Sequence, residues 1–222
     1  MGGLVGRGGG RRLVSFGAEQ APAVGAATAG EARQIAELLA RAFCDNPLTV
    51  AVVGSEKPGR RLRASRPAIR NLVDVARVHG EVWAARDGGT PRAALVASPP
   101  GHHPLPAPPL ARRLRTLWVQ GWRVARRWAE VFEALQQHHP LERHWYLGTL
   151  GVDPPAQGRG VGTELLRRWL RRVDEAGSEV YLETDRERNV SWYQRQGFCV
   201  LATARVQGVP VWCMQRPPAE GS

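Results

Sequence analysis

The stretch Gln157-Gly158-Arg159-Gly160-Val161-Gly162 constrains this chain more than any other. An apolar run, His144–Val152, leads to it and is closed by Asp153-Pro154-Pro155. Beyond it Leu165, Leu166, Trp169, Leu170 and Val173 recur at helical spacing until Gly177, which is a C-terminal stop. The pattern is strand, glycine turn, helix. Such a turn presents unpaired backbone N–H groups at the positive end of a helix dipole, and that suits a phosphate. Two phosphate readings fail. A phosphate-binding P-loop needs Gly-Lys-Ser/Thr, whereas Gly162 runs into Thr163 without a lysine. The dinucleotide fingerprint needs G-x-G-x-x-G joined tightly to its strand, whereas these glycines alternate and a diproline separates them from theirs.

The rest of the chain reads as alternating strands and helices. A short strand is expected near Pro22–Thr28. A helix follows through Ala32, Ile35, Ala36, Leu39, Ala42 and Phe43, stopped by Asp45-Asn46-Pro47. A second helical stretch spans about Arg60–Val78, with Pro67 marking a break or a fresh start. Glu81–Arg86 and Arg92–Ser98 read as a hairpin across Asp87-Gly88-Gly89-Thr90-Pro91. The proline-heavy Pro99–Pro109 cannot continue a sheet. A single long helix is expected from Leu110 to Gln137, its Trp and Leu residues on one face packing onto the sheet. After the glycine turn, Val180–Thr184 reads as a strand and Asn189–Gln196 as a short helix with Asn189 as its cap. Phe198–Arg205 and Val209–Gln215 read as a closing hairpin.

Composition narrows the class. A chain of 222 residues with 43% hydrophobic and 23% charged residues supports one substantial core. The expected organisation is a disordered Gly/Arg-rich extension over 1–20, a single domain over 21–216 and a flexible tail over 217–222. No apolar run reaches the roughly 20 residues of a membrane-spanning helix, and the start lacks the apolar stretch of a secretory signal. Cys44, Cys199 and Cys213 are too widely spaced for a zinc knuckle or a redox pair. A cytoplasmic protein without a metal is expected. The net charge is +11, and Lys57 is the only lysine among 31 basic side chains. With 25 Gly and 17 Pro, that arginine skew fits GC-rich codon usage. A basic surface nonetheless attracts polyanions, so nucleic acid stays open as a partner.

The segment Val152-Asp153-Pro154-Pro155-Ala156-Gln157-Gly158-Arg159-Gly160-Val161-Gly162 closely resembles the pyrophosphate-binding motif of the GNAT superfamily of acyl-CoA-dependent N-acetyltransferases. Leu182-Glu183-Thr184 and Asn189-Val190-Ser191-Trp192-Tyr193-Gln194-Arg195-Gln196-Gly197-Phe198 resemble further blocks of that superfamily, in the same order. Ala42-Phe43-Cys44-Asp45-Asn46-Pro47 and His144-Trp145-Tyr146-Leu147 are similar to blocks of one bacterial and fungal branch. The likeness runs from about Ala21 to Arg216.

The resemblance implies an α/β fold of the α+β type. Its sheet is mixed but mostly antiparallel, of about seven strands, with a V-shaped splay between strands 4 and 5 and helices on both faces. It implies acetyl-CoA as acyl donor, with pantetheine pairing along Leu150-Gly151-Val152. Gln157, Gly158, Arg159, Gly160, Val161, Gly162 and Thr163 would hold the pyrophosphate, with Asn189 and Tyr193 also touching the cofactor. Backbone N–H groups there approach an anion without a Cβ in the way. Tyr193 matches the tyrosine near the thioester sulfur, where a phenol can protonate the departing thiolate. The oxyanion is expected to face the N–H of Val152 or of a neighbour in its strand. Glu183 is the candidate base, on a face that one register step would reverse. His138, His139 and His144 are alternatives. Relatives with the His-Trp-Tyr-Leu block commonly carry a glutamate next, where this chain has Gly148. That departure removes any acceptor inferred from those relatives.

The expected activity is transfer of an acetyl group to an amine, small-molecule or peptide, by direct attack in a ternary complex. The alternatives are a CoA-binding regulatory or nucleic-acid-associated module on the same fold without transfer, and a peripheral membrane protein using the Trp-bearing helix. The acceptor and the oligomeric state are not legible in the residues.

Overall fold

The computed structural model describes residues 22–218. The expected extension over 1–20 lies outside the described residues, as do the last four positions of the expected tail. Seven strands among the described residues form one sheet: β1 (Ala23–Ala26), β2 (Glu81–Asp87), β3 (Thr90–Ser98), β4 (His144–Val152), β5 (Glu179–Thr184), β6 (Cys199–Val206) and β7 (Val209–Arg216). Their order is β1-β2-β3-β4-β5-β7-β6. Every neighbouring pair is antiparallel except β4–β5. The fold class is the one expected from the sequence.

Among the described residues, seven α-helices cover the two faces: α1 (Ala32–Ala42), α2 (Pro47–Val53), α3 (Pro58–His79), α4 (Leu110–Gln120), α5 (Trp122–Gln136), α6 (Val161–Glu175) and α7 (Glu187–Gln194). On one face α6 buries Leu165, Leu166, Trp169 and Val173 against Ala93, Leu95, Leu147, Val180 and Leu182, and Tyr193 of α7 joins them. On the other face Ile35, Leu38 and Leu39 of α1, with Val73 and Ala76 of α3, cover Val82, Ala84, Ala94 and Val96. A third cluster joins Val52 of α2 and Val131 and Leu135 of α5 to Val206 and Val211. The alternation of the strands supplies both inner faces at once.

One expectation is extended and three are corrected. Pro47 does end the first helical pattern, but it also occupies the first turn of α2, where its missing N–H costs nothing. Pro67 breaks nothing: α3 runs through it, with Arg61 donating to the Cys44 carbonyl at 2.8 Å before the proline and Val73 and Ala76 packing in the α1 cluster after it. The single helix over Leu110–Gln137 is two helices, since Gly121 at φ 85° and ψ 152° leaves helical space between α4 and α5. Trp128 packs against the cluster that holds Val206 and Val211 of the sheet, whereas Trp118 and Trp122 do not pack onto the sheet: they are 83% and 61% exposed. The sheet face they would need is already covered by α1 and α3.

Candidate active site

β4 and β5 pair only through His144–Glu179, Trp145–Val180 and Tyr146–Tyr181. Beyond Tyr146 both strands continue without a partner in each other, to Val152 and to Thr184. The two therefore part and open a cleft in the sheet. A register slip explains where. On β3, Ala97 faces Leu147 and Val96 faces Thr149, so Gly148 is an extra residue on β4, and such a bulge bends and twists its strand.

The glycine turn lies at the end of β4. Asp153 is buried and accepts from Arg41 at 2.9 Å, which ties the turn to α1. Pro154–Ala156 make one 3-10 turn. Gln157 Nε2 donates to the Val152 carbonyl at 3.1 Å. Gly158 and Gly160 have φ of 79° and 75°, conformations that a Cβ would strain. Gly160 is the N-cap of α6 and no side chain caps the helix. The first turn closes with the Glu164 N–H on the Gly160 carbonyl at 3.0 Å, and the N–H groups before it lie at an open, positive helix end. A Cβ on Gly162 would come within 2.7 Å of Val152 Cγ2, so a glycine there lets α6 approach β4. Gln157, Gly158, Arg159 and Gly160 are exposed. This site fits a pyrophosphate.

α7 stands beside the same opening. Trp192 Nε1 donates to Thr163 Oγ1 at 3.1 Å, linking α7 to the first turn of α6. Asn189 does not cap α7. The N-cap is Arg186, and the Asn189 amide donates instead to Thr184 Oγ1 at 3.2 Å. Tyr193 is buried, its ring 4.7 Å from that of Trp192 and 5.5 Å from that of Phe198. Burial pushes its phenol pKa up, so the hydroxyl stays protonated and is a donor.

Glu183 is resolved by its neighbours on β5. Val180 and Leu182 lie under α6, so Tyr181 and Glu183 point to the opposite face. There the Tyr146 hydroxyl donates to Glu183 Oε2 at 2.8 Å. His139 Nε2 lies 3.1 Å from Oε1, and both side chains are only 8% exposed. That contact has ion-pair distance without hydrogen-bond alignment, because Oε1 has no hydrogen-bond partner among the described residues. His103 stacks on His139 at 4.6 Å with the rings nearly parallel. His144 and Tyr181 lie 5.6 Å and 4.5 Å from the His139 ring. Burial first, then the neighbouring His139, lowers the His103 pKa to about 4. The phenol of Tyr146 is pushed up by burial and by the Glu183 charge. At Gly148 a Cβ would meet Tyr146 Cε1 at 3.1 Å, so the Tyr146 ring takes up the space beside it. Glu183 reaches this face from β5.

The sequence reading did not foresee the brace below this cluster. Asp185 is buried and accepts from Asn46 Nδ2 at 3.1 Å and from the Leu48 N–H at 2.8 Å. Arg186 returns to Asn46 Oδ1 at 3.0 Å and to the Asp45 carbonyl at 2.8 Å. Two blocks 139 residues apart, Asp45-Asn46-Pro47 and Thr184-Asp185-Arg186, thus hold the start of α2 against the end of β5. Their polarity was visible in the sequence; their meeting was not.

A mostly antiparallel sheet that parts at its parallel pair, with an uncapped helix end at the mouth, is the architecture the motifs implied for acyl-CoA-dependent transferases. Residues 53–198 match the sequence profile of the acetyltransferase (GNAT) family, and the chain belongs to that family. Among curated proteins it is 44% identical over 57 residues to a mycothiol acetyltransferase of Propionibacterium freudenreichii, covering 24% of this chain and 18% of that protein. It is 40% identical over 80 residues to the N-alpha-acetyltransferase RimI of Mycobacterium tuberculosis, covering 33% of this chain and 49% of that one. The chain thus spans less than half the length of either. A Corynebacterium glutamicum structure described as a histone acetyltransferase HPA2 and related acetyltransferase superposes with a TM-score of 0.70 at 25% identity, over 91% of this chain and 99% of that one. A Drosophila melanogaster polyamine N-acetyltransferase superposes at 0.66 with 19% identity, over 88% and 99%. The latter is a likeness of fold. No group of three or more His, Cys, Asp or Glu suited to a metal occurs among the described residues.

Proposed function

We propose that this protein is an N-acetyltransferase that moves an acetyl group from acetyl-CoA to an amine by direct attack in a ternary complex. The observation that carries the reading is the uncapped N-terminus of α6, reached through Gly158 and Gly160, at the mouth of the β4–β5 opening. Acetyl-CoA supplies the thioester that the amine attacks. The backbone of Gly158–Thr163 binds pyrophosphate, Arg159 adds charge, and Gln157 and Asn189 border the cofactor. Leu150, Gly151 and Val152 offer the free strand edge to pantetheine amides. An N–H of this strand, at or beside Val152, stabilises the charge that develops on the carbonyl oxygen. Tyr193, held protonated by burial, donates to the departing thiolate. Glu183 takes the proton of the amine, and its 8% exposure favours a route through water or the Tyr146 hydroxyl.

Calorimetric titration with acetyl-CoA tests the cofactor site, with ATP and NADH as controls. Saturable binding is expected, weakened at least about tenfold by Gly160→Glu, which sets a carboxylate against the phosphates. A folded protein that ignores acetyl-CoA overturns the reading. In an amine screen that follows thiol release, Tyr193→Phe and Glu183→Gln are expected to lower turnover by about 100-fold or more while leaving acetyl-CoA affinity near that of the parent. Cofactor binding with no transfer to any amine would favour the regulatory module.

A further inference from the structure

α4 is an amphipathic helix mounted the wrong way round for a soluble surface. Thr116, its one buried residue, accepts from Asn71 Nδ2 of α3 at 3.0 Å. Arg112 reaches Asp74 of α3 at 2.6 Å. The helix therefore meets the protein through polar contacts. Leu110, Leu114, Leu117 and Trp118, spaced to form one stripe, are 66%, 57%, 41% and 83% exposed. Trp122 continues the exposed apolar surface across Gly121. The guanidinium carbons of Arg123 and Arg126 lie 5.6 Å and 5.8 Å from its ring centroid. From Leu110 to Ala129 there are six arginines and no aspartate or glutamate. A contiguous exposed apolar stripe marks an interaction site.

Charge selects the occupant. Two copies meeting through this stripe would set arginine-rich rims against each other. An anionic surface would neutralise them. Shape agrees, because a tryptophan exposed to this degree protrudes and a fluid bilayer needs no complementary groove. Leucine and tryptophan on one side with arginine beside them is the composition of a helix lying in a lipid interface, and indole rings favour the headgroup level. No described helix is long and apolar enough to cross a membrane, so the contact is peripheral. We propose that α4 and the start of α5 dock on an anionic lipid surface. Leu114, Trp118 and Trp122 enter the boundary between headgroups and acyl chains, and Arg113, Arg115 and Arg123 pair with lipid phosphates.

Co-sedimentation of the full chain with vesicles tests this, independently of any acetyl transfer. The protein is expected to pellet with an equal mixture of phosphatidylcholine and phosphatidylglycerol and to stay in solution with phosphatidylcholine alone. Trp118→Asp and Leu114→Asp remove an apolar insertion each and should weaken binding at least about tenfold. Arg113→Glu combined with Arg115→Glu should do the same. All four positions are exposed, so unchanged thermal unfolding and acetyl-CoA affinity are expected to accompany the loss. Failure to bind the anionic vesicles overturns the proposal. So does binding that the two aspartate variants retain, which would assign the attraction to charge elsewhere on the chain. A concentration-dependent dimer in light scattering that Trp118→Asp abolishes would give the stripe to a second copy and overturn it equally.

Discussion

α6 and α4 carry the same kind of sequence and meet opposite fates. Each sets leucines and a tryptophan at helical spacing among arginines. In α6 the stripe is sealed, with Trp169 at 0% exposure, edge-on to Trp145. In α4 the stripe faces out. Topology makes the difference. α6 links β4 to β5, the one parallel pair, and a crossover between parallel neighbours must lie over the sheet. α4 and α5 link β3 to β4, which are antiparallel neighbours, so nothing obliges them to cross a face. α1 and α3 cover the sheet face nearest α4, and of the two helices α5 reaches the strands, through Val131 and Leu135 on Val206 and Val211. Periodicity says which side of a helix is apolar. It does not say whether anything covers that side.

The comparison breaks most sharply on its two tryptophans. Trp169→Ala should cost about 3–5 kcal/mol, the range for emptying a sealed aromatic site, while Trp118→Ala should stay within about 0.5 kcal/mol. Denaturant unfolding of the pair reads both. Equal losses would mean that α4 is covered after all.

A smaller effect separates the brace from the stripe. Asp185→Ala leaves the Asn46 amide and the Leu48 N–H without their acceptor, a loss of about 1–3 kcal/mol. The same truncation at Arg115, exposed on α4, should change stability little. Thermal unfolding of the two variants side by side distinguishes them.

A third effect is in pH. His103 ionises at about 4 in the folded protein against 6.5 for the free side chain. Between those values the unfolded chain binds a proton that the folded one refuses, so stability falls as pH drops from 6.5 toward 4 and is restored above 6.5. His103→Gln should flatten that slope. The parent protein should show the full slope. Unfolding midpoints across the window measure both.

Much of the candidate site was legible because it is local. Strand, glycine turn and helix occupy one continuous segment, so Gly158, Gly160 and Gly162 could be placed by spacing alone, and the parting of β4 from β5 followed from the family likeness. The Glu183 environment was not legible in the same way. Its face depended on a register step, settled by Val180 and Leu182 packing under α6. Its partners His139 and Tyr146 come from the turn after α5 and from β4. The sequence offered three histidines nearby without ranking them. Asn189 illustrates the opposite error: a good capping residue sits inside the first turn, because α7 starts earlier, at Glu187.

By itself the sequence determined the succession of the seven strands, which side of α6 is apolar and the glycine turn at its start, since these rest on hydrophobic period, turn chemistry and backbone stereochemistry within short segments. Tertiary structure decided where distant segments met. It put Asp185 against Asn46, set His139 against Glu183, and turned the apolar side of α4 toward solvent. Those outcomes depend on which surfaces the sheet has left free, a property of the whole assembly that no window of residues contains.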